Sequence, residues 1–132
     1  MNIAKYAAFF HDGSIMDIQH IKDTLAISMA SAEVDEEDFS NELILSQDSS
    51  IQGKLHLEGI LAIKINEKPF IGILKKMYDR GKIFDFEIAE NFVELSIDWA
   101  NFPPGPEVNE FSVIQIEVKK IWWENIPDLI ET

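Results

Sequence analysis

Apolar and polar residues alternate with a period of two through much of this chain. Leu55, Leu57, Leu61, Ile63 and Ile65 fall on one face of an extended segment, with Gly59 in the same row. His56, Glu58 and Lys64 fall on the other. Successive side chains of a strand point to opposite sides, so this pattern predicts a long half-buried strand bent at Gly59. Phe84, Phe86 and Ile88 likewise oppose Asp85 and Glu87, and Val93, Leu95, Ile97 and Trp99 oppose Glu94, Ser96 and Asp98. The short Ala89-Glu90-Asn91 link makes these two a hairpin. In the last strand, Phe111–Trp123, Ile114, Ile116 and Val118 share a face with Trp122, against Gln115, Glu117 and Lys119. The rows place Leu57, Ile63, Phe84, Phe86, Leu95 and Ile97 deep in the core.

Further strands are expected at Tyr6–Phe10, Ile15–Ile21, Leu25–Ala32 and Asn41–Ser46, with turns at His11-Asp12-Gly13-Ser14 and Lys22-Asp23-Thr24. Ile15, Met16, Ile18 and Ile21 do not share a parity, which calls for a bulge or an edge position. One segment is ambiguous, because Phe70, Ile73, Leu74 and Met77 have helical spacing between Pro69 and Gly81. Gly72 lies inside that stretch and Asp79-Arg80-Gly81 suits a hairpin, so a strand is the preferred reading. Asp35–Phe39 has room for one helical turn. Phe102-Pro103-Pro104-Gly105-Pro106 forms a stiff connection between strong strands, with a recognition loop as the alternative. Seven to nine strands with little helix to cover them must pack on another sheet or close on themselves. The expected fold is one all-β domain over residues 1–132: a mainly antiparallel β-sandwich or partly closed β-barrel with sequential hairpins.

The 132 residues include 46% hydrophobic side chains, enough for a core without staples. With no cysteine, disulfides and thiolate chemistry are excluded. The N-terminus lacks a signal-peptide pattern and no apolar run is long enough to span a membrane, so a cytoplasmic location is expected. The formal net charge is −13, from 24 acidic and 11 basic side chains. The acids concentrate in residues 1–50 and 90–132, and the middle third is mildly basic. Such a field repels nucleic acid and anionic membranes and speeds encounter with a basic protein. Solubility alone would also account for it.

Candidate chemistry is sparse. His11, His20 and His56 form no metal-binding spacing, and no phosphate-cradling or calcium loop occurs. His56 and Glu58 share a polar row and have the make-up of a general acid and its partner, or of a solvated outer face. No catalytic residue, metal site or cofactor is expected.

Surface recognition remains. Glu33, Asp35, Glu36, Glu37 and Asp38 crowd five carboxylates into six positions, followed by Phe39. Trp122 and Trp123 are adjacent, so in a strand one must point outward; aromatic residues are enriched at binding hot spots. These eight residues are the candidate partner-binding set. A terminal segment, Asn125–Ile130, folding over the outward Trp is the competing reading. The turn Phe10-His11-Asp12-Gly13-Ser14-Ile15, followed by Ile18, resembles the opening of certain small bacterial immunity proteins, which neutralise polymorphic or contact-delivered toxins by binding them. The resemblance is confined to that turn and does not reach Trp122-Trp123-Glu124. It implies a bacterial cytoplasmic binding protein without catalysis. A structural or regulatory β-domain and a small barrel hydrolase or ligand-binding protein stand as alternatives, and homo-oligomerisation is left open.

Overall fold

The computed structural model describes residues 3–35, 43–108 and 110–129. Among these, an N-terminal 3₁₀ helix (Ile3–Phe10) precedes seven strands: β1 (Ser14–Ile21), β2 (Thr24–Ala30), β3 (Gln52–Ile65), β4 (Lys68–Pro69), β5 (Arg80–Ala89), β6 (Phe92–Ala100) and β7 (Glu110–Asn125). The strands run in the order β2-β1-β5-β6-β7-β3-β4, and β2 also pairs with β3. Every pairing is antiparallel, so six strands form a ring and β4 hangs on its rim.

The ring is unevenly closed. β1 and β5 meet only at Ser14↔Lys82 and Ile15↔Gly81. Beyond that contact the 3₁₀ helix packs along β5. On the other side, irregular chain reaches β1, where the Leu74 N–H donates to His20 Nδ1 at 2.8 Å. His20 Nε2 in turn donates to the Lys22 carbonyl at 3.0 Å, which fixes the tautomer that leaves Nδ1 an acceptor. On β5 itself, Ile83 N donates to the Gly13 carbonyl and the Ile83 carbonyl accepts from Asp12 N, so the turn before β1 continues the short ladder.

The interior is filled by the inward rows. Leu25, Ile27, Leu55, Leu57, Ile83, Leu95, Ile97, Trp99 and Ile114 are almost fully buried, and Phe10 enters from the helix. Phe10 meets Phe86 and Trp123 edge-on, with centroids 5.3 and 5.6 Å away. Trp99 carries its one polar atom inside and donates to Ser112 Oγ at 3.1 Å.

Several expectations are corrected. Tyr6–Phe10 is 3₁₀ helix rather than strand: Ile3, Tyr6, Ala7 and Phe10 are its buried residues, a helical spacing that puts them on one stripe. Phe84 is not in the core but 58% exposed. A bulge between Ile83 and Asp85 adds a residue to β5, so Ile83 and Phe86 point inward with two outward side chains between them. Leu61 is 63% exposed for a similar reason, standing at the β3 bulge between Ile60 and Ala62. The untidy parity in β1 does correspond to a bulge, between Ile15 and Asp17. Leu43–Ser46 is irregular chain, residues 41–42 of that expected strand lying outside the described residues. The stretch 70–79 is neither helix nor strand; Leu74 is buried, Ile71 and Ile73 are exposed, and Arg80-Gly81 already belongs to β5. The His11–Ser14 turn joins the helix to β1 and makes no hairpin. Asn101 and Asp79 bind each other's segments, Asn101 Oδ1 accepting from Asp79 N and Asp79 Oδ2 from Phe102 N, which orders the proline-rich connection.

Candidate functional site

β3 and β7 change the phase of their inward rows together near Gly59. Gly59 adopts φ 75°, a conformation that favours glycine, and the Asp23 carbonyl accepts from both Gly59 N and Ile60 N. Leu57 pairs with Ile121 and Ile60 with Val118, so on both strands the inward row advances by three residues here instead of two. The step reverses parity in β7: Trp123 is buried with Phe10, and Trp122 faces outward at 39% exposure. The expected face-sharing of Trp122 with Ile114, Ile116 and Val118 ends at this step.

Asn91 holds the β5–β6 hairpin tip against the same step. Its Nδ2 donates to the Val118 and Lys119 carbonyls at 3.1 and 3.0 Å, and its own carbonyl accepts from Val118 N at 3.0 Å. Ile88, Ala89 and Glu90 are thereby held near Ile121 and Trp122, and with Ile3 and Ala4 they line an open groove of about 390 Å³.

The Trp122 side chain is fixed from two sides. His56 lies directly opposite it across the ladder, and the two rings stack with centroids 4.0 Å apart and planes 9° from parallel. Trp122 Nε1 donates to Glu58 Oε2 at 3.1 Å, and Lys120 approaches the same oxygen at 3.7 Å. His56 Nε2 donates to Glu124 Oε1 at 2.8 Å. These diagonal and direct cross-strand contacts preorganise an aromatic side chain that is otherwise exposed. His56 and Glu58 have different hydrogen-bond partners, Glu124 and Trp122, while both touch the Trp122 side chain. The cluster combines ring stacking with hydrogen bonds to two carboxylates.

Other surface groups sit apart from it. Glu33 and Asp35 are exposed on a segment whose Val34 N–H donates to the Ser49 carbonyl, before β3 begins. Glu36, Glu37, Asp38 and Phe39 lie outside the described residues, as does most of the one-turn helix expected there. Between residues 126 and 129 the chain after β7 runs toward Ser46 and Gln52, with Asp128 N donating to Ser46 Oγ and Ile126 N to the Gln52 carbonyl, and Ile130 of the expected cover lies outside the described residues. His11 Nδ1 bonds the Phe84 carbonyl and its ring meets Phe84 edge-on, while Asp12 reaches Lys82 at 3.3 Å. Asp85, Glu87 and Glu94 bring three carboxylates within 4.8 Å on the outer face, the one such ligand group among the described residues. Gln115 donates to Glu94 at 2.7 Å, and like charges directly opposite in a ladder repel.

Sequence reading missed the groove and the strap of Asn91. The available signals were the odd spacing from Val118 to Trp123 and an asparagine at a hairpin tip, neither of which names a neighbour. No family model, curated protein or solved structure matches this chain. Among the described residues no helix is long and apolar enough to cross a membrane.

Proposed function

We propose that this chain is a non-catalytic, acidic protein-binding module, a small filled β-barrel that captures a basic protein. The observation that carries the reading is Trp122: a large aromatic side chain, outward-facing, stacked on His56 and bonded to Glu58, at the rim of a groove. Tryptophan is enriched among residues that dominate binding energy, and prior fixing lowers the entropy cost of using it. The net charge of −13 supports a basic partner, because complementary fields raise association rates. The likeness of the Phe10–Ile15 turn to bacterial immunity proteins favours a toxin domain as that partner, in a bacterial cytoplasm.

The test is affinity capture from the native cell at low and high salt, followed by binding kinetics with the purified partner. Trp122→Ala should cost about 2 kcal/mol or more, mainly through faster dissociation. Neutralising Glu36 and Glu37 should slow association more than neutralising Glu67 and Glu107, a change of the same net charge. Unchanged affinity in Trp122→Ala would remove this face from the binding site, and equal rates for the two charge variants would reduce the acidic segment to a solvated surface.

A further inference from the structure

The groove is lined by apolar side chains and a single acid. Ile3, Ala4, Ile88, Ala89 and Ile121 supply aliphatic surface, Trp122 an aromatic wall, and Glu90 the one charged side chain of the lining. Its volume of about 390 Å³ lies at the small end of the ~300–1,000 Å³ typical of ligand sites. One face of the indole is covered by His56 and its N–H edge is held by Glu58, so the groove meets what remains of the ring. Neighbouring cations are already engaged: Lys120 by Glu58, and Lys5 over the Tyr6 ring at 5.6 Å. An anion entering here would meet Glu90 with no free compensating charge from either lysine. A neutral apolar group would fill the walls and leave Glu90 unused.

We infer that this groove receives one lysine or arginine side chain of the partner, with its methylene stem along Ile3, Ile88 and Ile121 and its cationic head between Trp122 and Glu90. Basic side chains divide naturally into an apolar stem and a charged tip. Indole is the best of the aromatic rings for holding a cation. This rests on the protein-binding reading and assigns it an anchor: the overall negative field draws the partner in, and the groove selects the residue that docks.

The experiment uses small probes on the intact chain, followed by ¹H–¹⁵N NMR. n-Butylammonium and n-propylguanidinium copy the two basic side chains; 1-butanol and butyrate are the neutral and anionic counterparts. The cations should saturably shift the Trp122 indole N–H and the Glu90 amide more strongly than either counterpart. Glu90→Gln and Trp122→Leu should each weaken n-butylammonium by about two- to fivefold. Glu107→Gln, with the same change in net charge, should leave it unchanged, and Glu90→Gln preserves size should Trp122→Leu disturb the strand. Equal binding of 1-butanol or butyrate, shifts that never saturate, or an equal effect of Glu107→Gln would overturn the assignment. The two failures are distinguishable. A captured basic partner indifferent to Glu90→Gln and Trp122→Leu would leave the protein-binding proposal standing and sink the groove. Selective cation binding without any basic partner would sink the protein-binding proposal and the docking of a partner side chain with it, leaving the groove only as a site for an alkylammonium or guanidinium group.

Discussion

Phe10→Ala tests whether the N-terminal 3₁₀ helix is a structural part of the ring. Phe10 is completely buried and touches Phe86 and Trp123 edge-on. Burying a side chain of this size stabilises a fold by about 1.5–3 kcal/mol. Edge-to-face aromatic pairs add about 0.5–1.5 kcal/mol beyond area, and a partly collapsed cavity remains after truncation. The expected loss is therefore about 3–5 kcal/mol, the usual range for Phe→Ala in a core. Natural domains hold only about 5–15 kcal/mol in total, so the variant should fold with a much reduced margin. Urea unfolding followed by tryptophan fluorescence should show a lower midpoint with an unchanged m-value. A cycle with Phe86→Leu should recover a coupling of about 0.5–1.5 kcal/mol, because only contacting residues depart from additivity. A loss below about 1 kcal/mol would refute the reasoning, since it would mean that the helix covers β5 without contributing to the core.

Two further outcomes are expected. Gly53→Ala should destabilise by about 1–3 kcal/mol, because its Cβ would stand 2.1 Å from the Glu124 carbonyl oxygen, a backbone atom that cannot step aside; an unchanged melting temperature would contradict the close approach of β3 and β7. The Tyr78 pKa is raised above its ordinary value of 10.0, first by its hydrogen bond to Glu110, then by burial and the Glu110 charge. A raised folded pKa contributes stability fully present below the ordinary value and lost as pH rises through the folded one. Unfolding measured across alkaline pH should show that loss in the native chain and a shallower one in Tyr78→Phe; identical slopes would count against the contact.

Much of the strand architecture was legible because alternation is a local property. Val93, Leu95, Ile97 and Trp99 face inward as their spacing requires, and the turn at Glu90-Asn91 follows from the two rows it joins. Bulges break that legibility. An extra residue at Phe84 or Leu61 exchanges faces without changing composition, and whether the ladder tolerates it depends on the partner strand. The helix at Ile3–Phe10 carried a helical spacing in plain view, but a strand-rich context favoured the wrong period.

By itself the sequence determined the β class, the long central strand with its bend at Gly59, most of the core and the acidic field. These depend on side-chain type and spacing along the chain. Tertiary structure alone decided how the ring closes, which tryptophan faces outward, and what stands beside it. His56, Glu58, Trp122 and Glu124 meet through the register of β3 and β7, while Glu90 reaches the groove through the Asn91 strap. Cross-strand register is set by turns, bulges and the packing of one buried face, which act together over the whole sheet. A site assembled from such distant residues becomes visible only when that packing is in place.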